Sequence, residues 1–358
     1  MRARHRGMRL SSARTAVIGL VLLLPLAACG SDGGSTAPAT TTNPTVIDPL
    51  TGSPGATTDA TPPSAGVEVS ARTITIEDPA LGTLVFDALA AGDPAAAADG
   101  RLVLLLHGFP ESGDGYEAML TPLAEAGYYA VAPNQRGYSP GARPTAVEDY
   151  AVAALAEDVV GMADALGVTG TFHVVGHDWG GAVAWVLAAR HPERLASLAA
   201  LSTPHLDAIT DAWNDPSGEQ RQEFAYQEAF KQPGYEDALL ADGPATFEAV
   251  FGRAGIPDED LARYAEVLGT SDALRAALDW YRANPLPAPT ALGPVTVPTL
   301  FVFGTDDLAF TQLAADGTAR YVDAPYTYEQ IEGGSHWLPE TQAAAVTPML
   351  LTHLAAHP

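Results

Sequence analysis

From about residue 67 onward, the chain alternates short apolar runs with longer amphipathic segments. Alternating apolar and polar residues at 67–77 and 83–92 predict two strands paired as a hairpin. Further strands are predicted at 102–106, 128–132, 172–175, 195–201, 299–304 and 326–334. The segments between these strands predict helices at 117–126, at 147–166, at 182–189 and from about residue 340.

The segment 147–166 illustrates the helical pattern. Leu155, Val159, Met162 and Leu166 follow one another at spacings of four, three and four residues, which places them on one helix face. Strands that are apolar throughout are typical of parallel sheets covered on both faces by helices. The chain is therefore predicted to have an α/β fold with a mostly parallel central sheet flanked by helices.

The alternation of strands and helices stops after residue 204. Residues 205–290 contain helical segments with proline, glycine and many acidic residues, but no convincing strand. We therefore predict an α/β core built from residues 67–204 and 291–358. Residues 205–290 are predicted to form a helical cap domain inserted between two strands of that core.

The N-terminal part of the chain has a different pattern. Basic residues up to Arg14 precede the apolar segment 16–28, which is too short to span a bilayer comfortably but typical of a signal peptide. The sequence Leu-Ala-Ala-Cys29 resembles the lipobox of bacterial lipoproteins, in which the cysteine is lipidated and becomes the new N-terminus. We predict a signal peptide over 1–28, lipidation at Cys29 and a flexible Gly/Ser/Thr/Pro tether over 29–66. The alternative is an ordinary signal peptide followed by an incidental cysteine.

Composition limits the partners of the protein. The 358 residues include 18 basic and 43 acidic side chains, a formal net charge of −25. Five arginines lie in the predicted signal peptide, so the remaining 13 basic residues face all 43 acidic ones, a formal charge of about −30. Because such a surface repels nucleic acid and anionic lipid, we expect no nucleic-acid partner. The expected location is outside the cytoplasm, on the cell membrane, through a lipid anchor at the single cysteine.

The clearest chemical motif stands between the predicted strand 172–175 and the helix after it. The sequence Gly176-His-Asp178-Trp-Gly180 fits the nucleophile elbow of hydrolases, in which small residues on either side of the nucleophile permit a tight turn. Such a turn exposes the nucleophile at the carboxyl edge of the sheet, beside the positive end of a helix. The alternative is that Asp178 only caps the helix that starts near Gly181.

Three further segments supply the groups that such a nucleophile needs. The loop after an apolar strand donates one backbone N–H of an oxyanion hole and the residue after the nucleophile donates the other, which predicts Phe109 and Trp179 as donors. Asp307, with Asp306 as its nearest competitor, follows another strand and is predicted to orient a histidine. His336, between the last strand and the last helix, is the predicted base. The order nucleophile, acid, histidine is that of hydrolases.

Together these residues resemble the α/β-hydrolase fold and, within it, the epoxide-hydrolase branch, whose nucleophile is an aspartate. The resemblance covers about residues 67–358 apart from parts of the cap, and the segments HGFPES and GHDWGG are its most specific parts. Epoxide hydrolases also carry two cap tyrosines that bind the epoxide oxygen, and Tyr226 and Tyr281 stand in similar segments. The alternative for these two residues is that they are aromatics of helix packing.

The resemblance implies a two-step hydrolysis. An aspartate is ionised near neutral pH because its ordinary pKa is about 3.9, and it is suited to displacement at a saturated carbon. Asp178 would open the epoxide while Tyr226 and Tyr281 stabilise the alkoxide. His336, oriented by Asp307, would then activate water to hydrolyse the ester and release a vicinal diol. No metal or cofactor is required.

The sequence leaves two other functions open. Haloalkane or haloacid dehalogenation would use the same aspartate. Haloalkane dehalogenases also share Trp179, but they usually have Asn where this chain has Phe109, and they lack the paired tyrosines. A surface-tethered binding protein that has lost catalysis is the more remote alternative. Leucines and aromatics in the cap favour a small apolar epoxide as the substrate, with water as the second reactant, and nothing indicates the oligomeric state.

Overall fold

The computed structural model describes residues 67–285, 287–288 and 290–358. The predicted signal peptide, the lipidation site Cys29 and the tether up to residue 66 lie outside these ranges. Within them, no helix combines the length and the apolar character that crossing a membrane requires.

The described part of the chain contains nine strands: β1 (Ser70–Asp78), β2 (Gly82–Ala91), β3 (Leu102–Leu106), β4 (Tyr129–Pro133), β5 (Phe172–His177), β6 (Leu195–Leu201), β7 (Ala241–Gly243), β8 (Thr299–Gly304) and β9 (Tyr326–Ile331). Eight of them form one sheet in the order β1-β2-β4-β3-β5-β6-β8-β9. The pairs β1/β2 and β2/β4 are antiparallel, and all other pairs in the sheet are parallel. The predicted hairpin and the mostly parallel sheet are therefore confirmed.

The α-helices of the described chain are α1 (Ala95–Ala98), α2 (Glu117–Glu125), α3 (Val152–Ala165), α4 (Trp179–Arg190), α5 (Leu206–Asn214), α6 (Glu219–Glu223), α7 (Gln227–Phe230), α8 (Tyr235–Leu239), α9 (Pro244–Arg253), α10 (Asp258–Leu268), α11 (Ser271–Ala283), α12 (Gln312–Gly317), α13 (Leu338–Thr341) and α14 (Ala343–Ala356). Every residue of β3, β5 and β8 is buried, as expected where helices cover both faces of a parallel sheet. Because the parallel strands end at the same edge, the segments that follow them are gathered there.

One predicted helix is interrupted. The segment predicted as a single helix over 147–166 forms a short 3₁₀ turn at Val147–Tyr150 and then α3, with Ala151 in an extended conformation between them. The side chain of Asn284 accepts a hydrogen bond from the Val152 N–H at 2.9 Å and donates one to the Tyr150 carbonyl at 3.0 Å. The start of α3 is therefore capped by a residue 132 positions away, which the local pattern cannot reveal.

Between β6 and β8 the chain forms helices α5 to α11 and the three-residue strand β7. The sequence predicted no strand here, but β7 is exposed at all three residues and pairs locally through Asp242 and Pro244, outside the main sheet. It therefore carries none of the apolar pattern by which a buried strand is found. The division into a core (67–204 and 291–358) and a cap domain (205–290) stays a prediction.

Candidate active site

Asp178 lies in a strained turn between β5 and α4. Its backbone has φ 49° and ψ −119°, a conformation that non-glycine residues seldom adopt. A Cβ at Gly176 would lie 2.3 Å from the Gly180 carbonyl oxygen, and one at Gly180 would lie 2.0 Å from the Leu106 carbonyl oxygen. The turn therefore requires glycine at both flanking positions, which is the physical basis of the elbow motif.

The carboxylate of Asp178 faces two other segments rather than its own helix. Its Oδ1 accepts a hydrogen bond from the Phe109 N–H at 3.0 Å, and its Oδ2 lies 3.5 Å from His336 Nε2. Although Asp178 occupies the position before α4, its side chain makes no capping hydrogen bond to that helix within the described chain. Burial alone would raise the pKa of Asp178, but His336 and the Phe109 N–H lower it, so the side chain is ionised at neutral pH.

His336 and Asp307 form a buried pair behind this carboxylate. His336 Nδ1 lies 2.9 Å from Asp307 Oδ2, while Asp307 Oδ1 accepts hydrogen bonds from the N–H groups of Ala309 and Phe310 at 2.7 and 2.8 Å. Asp306, the competing acid, is exposed. Burial alone would lower the pKa of His336, but the carboxylates of Asp307 and Asp178 raise it well above its ordinary value. The imidazole is therefore protonated on both nitrogens and positively charged in the resting site.

A second histidine holds the main chain of the first. The His336 carbonyl accepts hydrogen bonds from His177 Nε2 at 2.8 Å and from Ser202 Oγ at 2.6 Å. His177 Nδ1 in turn lies 2.6 Å from Glu111 Oε1, whose other carboxylate oxygen accepts the Gly108 N–H at 2.7 Å. Burial alone would lower the pKa of His177, whereas the nearby Glu111 carboxylate raises it.

Two of these residues, Glu111 and Ser202, have no role in the sequence-based prediction. Glu111 stands inside the HGFPES segment, in the loop after β3, but its partner His177 is the last residue of β5. Ser202, which follows β6, has a positive φ of 63°. Neither serine nor the residues beside it in the sequence predict this conformation. Only the meeting of strand ends in space identifies either residue.

Tyr281 lies on α11 and Tyr226 lies just before α7, and both border the same cavity as Asp178. Tyr281 also packs its ring against Phe109 and Trp179, with ring centroids 5.5 and 5.0 Å apart. Burial and the neighbouring Tyr226 raise the pKa of Tyr281, while burial and the Asp178 carboxylate raise that of Tyr226. Both phenols are therefore protonated at neutral pH and can donate hydrogen bonds.

The cavity beside Asp178 is small and mainly apolar. It has a volume of about 50 Å³ and is lined by Asp178, Trp179, Ala182, Thr203, Leu206, Ile209, Phe224, Tyr226, Gln227, Tyr281 and Phe310. Four predicted site residues thus share the cavity wall, namely Asp178, Trp179 and the two tyrosines. Phe109 and His336 contact Asp178, and Asp307 contacts His336. In the described ranges, no group of three or more His, Cys, Asp or Glu side chains is arranged to hold a metal ion.

The second predicted oxyanion donor is Trp179, the first residue of α4. The first N–H groups of an α-helix have no acceptor within the helix, so the Trp179 amide is not committed to the helical hydrogen-bond ladder. Phe109 N–H already bonds Asp178 Oδ1. The two amides therefore come from different elements that flank the same carboxylate.

This fold and this arrangement of an elbow, a buried acid and a histidine define a hydrolase class. Residues 101–343 match the alpha/beta hydrolase fold family, which is more than half of the chain. The chain therefore belongs to the alpha/beta hydrolase family.

Individual relatives are epoxide hydrolases or proteins of the same superfamily. Epoxide hydrolase A of Mycobacterium tuberculosis is 33% identical over 305 residues, covering 74% of this chain and 92% of that protein. AB hydrolase superfamily protein YfhM of Bacillus subtilis is 33% identical over 270 residues, covering 73% and 92%. The crystal structure of epoxide hydrolase A from Mycobacterium thermoresistibile is similar with a TM-score of 0.68 at 27% identity, covering 81% of this chain and 99% of that one. The protein is thus an epoxide hydrolase-like enzyme.

Proposed function

We propose that this enzyme hydrolyses epoxides to vicinal diols through a covalent ester on Asp178. The observation that carries the proposal is that a nucleophilic carboxylate and two proton-donating phenols border one cavity. An ionised carboxylate and two protonated phenols border the same 50 Å³ space. Opening an epoxide needs a nucleophile for carbon and an acid for oxygen, and these three side chains supply both.

In the first step, an oxygen of Asp178 attacks one epoxide carbon and the carbon–oxygen bond of the ring breaks. Oδ2 is the available oxygen, because Oδ1 accepts the Phe109 N–H and the 3.5 Å separation from His336 Nε2 is longer than a normal hydrogen bond. The ring oxygen leaves as an alkoxide, stabilised by the Tyr226 and Tyr281 hydroxyls, and takes a proton from one of them. The product of this step is an alkyl ester on Asp178.

Before the second step, the proton that His336 carries at rest passes to the tyrosine phenolate and restores the phenol. The neutral imidazole then removes a proton from water, and the resulting hydroxide attacks the ester carbon. The negative charge then develops on the Asp178 carbonyl oxygen, which the Phe109 and Trp179 N–H groups stabilise. Collapse of this intermediate breaks the ester bond, releases the diol and restores the carboxylate. Asp307 stabilises the charged imidazole during this step at a distance of 2.9 Å.

A small apolar epoxide fits the walls of the cavity. Away from the reacting groups, the lining is formed mainly by Ala182, Leu206, Ile209, Phe224 and Phe310. These side chains offer no charge to bind a carboxylate or phosphate. Relatives named epoxide hydrolase support the same substrate class and water as the second reactant.

Dehalogenation is the alternative that uses the same nucleophile, and two features weigh against it. Phe109 occupies the position at which dehalogenases usually have a second halide donor. The Trp179 ring packs edge-to-face against Tyr281, with ring centroids 5.0 Å apart. Its indole is therefore in contact with a phenol that the epoxide mechanism uses.

Trapping of the ester tests the proposal. In the His336→Gln variant, the ester should form but not hydrolyse, so incubation with styrene oxide or 1,2-epoxybutane should add the mass of one substrate to the peptide that contains Asp178. The Asp178→Ala variant is the control and should acquire no mass. An unmodified peptide in His336→Gln under rapid sampling, or halide release from a haloalkane without epoxide turnover, would contradict the epoxide mechanism. Ligand-induced shifts in melting temperature without any product would instead favour a binding protein.

We also propose that the enzyme is exported and held on the cell membrane by lipid attached to Cys29. Support comes from the basic start, the apolar segment 16–28 and the single cysteine that follows it. All the residues assigned to the reaction lie between positions 109 and 336. The catalytic domain would then work outside the cytoplasm.

A further inference from the structure

We propose that Arg282 is a positioning residue that fixes the separation of the two tyrosine hydroxyls. The inference rests on the proposed function, in which both phenols must reach one alkoxide oxygen. Tyr281 and Tyr226 lie on different helical segments of the chain, which are joined by more than fifty residues. Their separation therefore depends on a tertiary contact between these segments.

Arg282 makes that contact directly. It follows Tyr281 on α11, and its Nη2 donates to the Gln232 carbonyl at 2.9 Å and to Glu236 Oε2 at 2.7 Å. Its Nη1 donates to Asp279 Oδ1, one turn earlier on the same helix, at 2.9 Å. The planar guanidinium thus binds its own helix with one end and the segment 232–236 with the other.

The far end of this contact is rigidly linked to Tyr226. Helix α7 begins at the residue after Tyr226, and hydrogen bonds from Lys231 N to the Gln227 carbonyl and from Gln232 N to the Ala229 carbonyl, both 3.0 Å, continue the helical turn to Gln232. A shift of the Gln232 carbonyl is therefore transmitted to the start of α7 and to Tyr226.

An aromatic ring links the two tyrosines. The ring of Phe230 packs against both phenols, with centroids 5.2 Å from Tyr226 and 5.1 Å from Tyr281. Phe230 belongs to the same short helix that follows Tyr226, so this packing and the Arg282 contact join the same two segments.

Burial makes the contact of Arg282 strong. The side chains of Arg282, Asp279 and Glu236 are only 12%, 2% and 10% exposed. Charge-assisted hydrogen bonds that are shielded from water in this way are stronger than exposed ion pairs and hold a defined geometry. The arrangement therefore fixes geometry rather than merely adding surface charge.

The same helix offers a matched control. Arg275 also binds Asp279, with Nη1 2.6 Å from Oδ2, and its other contact is Asp272 on the same helix. It has the same charge and the same acidic partner as Arg282, and both of these hydrogen bonds remain within α11. Loss of Arg275 should therefore affect the helix but not the spacing of the tyrosines.

The two half-reactions separate positioning from general stability. The tyrosines act only when the epoxide opens, whereas hydrolysis of the ester uses His336 and the backbone N–H groups. We would measure alkylation by intact mass in the His336→Gln background, with 1,2-epoxybutane, for Arg282→Ala, Arg282→Lys and Arg275→Ala. Decay of the preformed ester would be followed in the same three variants with His336 present, and the melting temperature of each variant would be recorded.

The expected result is selective. Arg282→Ala should slow alkylation by about 10- to 100-fold, the scale on which small misplacements of reacting groups act, and leave ester decay within about twofold. Arg282→Lys should lie between Arg282→Ala and the parent, because an ammonium keeps the charge but cannot span both partners. Arg275→Ala should alkylate at the parent rate.

Each contrary outcome has a distinct meaning. If His336→Gln alone is not alkylated by any epoxide, the proposed function fails. If it is alkylated and the Arg282 variants match its rate, or if alkylation and ester decay slow equally, the positioning role is wrong. Should Arg282→Ala fail to fold, Arg282→Lys decides, since a folded lysine variant with an unchanged alkylation rate would overturn the inference.

Discussion

The charge of His336 depends on the charge of its neighbour Asp178. Burial alone would lower the pKa of His336, and the carboxylates of Asp307 and Asp178 raise it well above the ordinary value. In the proposed reaction Asp178 becomes an ester and loses its charge, which removes one of the two carboxylates that raise the pKa of His336. We therefore expect that pKa to fall in the intermediate, so that the histidine is a base at the stage that needs one.

This coupling predicts different pH profiles for the two half-reactions. Below the pKa of His336 in the ester intermediate, ester decay should rise by about tenfold per pH unit and then level off, because only the neutral imidazole accepts a proton. Alkylation should be nearly flat between about pH 6 and pH 8, since Asp178 stays ionised and the phenols stay protonated there. Single-turnover measurements over this range on the parent enzyme, with formation and decay of the ester followed by rapid quenching and intact mass, test both statements.

The control for this prediction is Asp307→Asn. It removes the other carboxylate and the acceptor of the His336 Nδ1–H, so ester decay should slow by about 10³- to 10⁴-fold while the ester still forms. Ester decay that slows as the pH rises would contradict the role of His336 as the base.

At the level of single residues, the sequence predicts the candidate reacting groups better than the residues that support them. Positions after predicted strands indicate Asp178, Asp307 and His336, and in the structure Asp307 is buried against His336 while Asp306 is exposed. The role of Glu111 depends on a 2.6 Å contact with His177 from another strand. Such partners cannot be read from local spacing, because sheet order decides which strand ends meet.

The elbow shows how one element constrains another. β5 passes into α4 so tightly that Gly180 lies against the backbone of β3, and a Cβ there would meet the Leu106 carbonyl oxygen at 2.0 Å. Because the protein interior is closely packed, neither the end of β5 nor the start of α4 can move without displacing β3. Backbone contact between α4 and β3 therefore fixes the height of Asp178 above the sheet.

We predict that Gly180→Ala destabilises the protein by about 3 kcal/mol, because the added methyl group must push the strand and the helix apart. Epoxide hydrolysis should fall as well, since Asp178 moves with the turn. The control is Gly170→Ala, because a Cβ at Gly170 meets no atom within 4 Å, and its effect should stay within about 0.5 kcal/mol. Melting temperatures and initial rates of both variants provide the test. Equal stability and equal activity in the two variants would show that the elbow tolerates a side chain.

Elements with regular apolar patterns were predictable, whereas interruptions were not. The predicted bounds of β3, β6 and β8 agree with the structure because β3 and β8 are buried throughout and β6 is buried at all but one residue. The break at Ala151 arises from Asn284, a distant side chain that satisfies the backbone on both sides of it. Tertiary hydrogen bonds of this kind override a local helical pattern, so element boundaries carry the largest errors.

For the whole molecule, the strong negative charge explains why binding to a membrane would require the predicted lipid anchor. If the predicted signal peptide is removed, the remaining 13 basic and 43 acidic residues are repelled by anionic lipid headgroups, so electrostatics would keep the domain away from a membrane surface. The proposed residence at a membrane would then depend on covalent lipid, and more than one acyl chain is needed for stable attachment. Cys29 is the single cysteine of the chain and stands where such attachment is expected.

We predict that Cys29→Ser moves epoxide hydrolysis from the membrane fraction to the soluble fraction of expressing cells. Wild-type enzyme should resist extraction at about 1 M salt, because that ionic strength shortens the screening length to about 3 Å and releases proteins held by charge, but not by acyl chains. The specific activity of Cys29→Ser should equal that of the wild type, since the proposed reaction uses only residues between 109 and 336. Incorporation of labelled fatty acid into the wild type, and its absence from Cys29→Ser, would identify the anchor. Wild-type enzyme found in the soluble fraction, or Cys29→Ser retained on membranes, would show that the cysteine does not determine location.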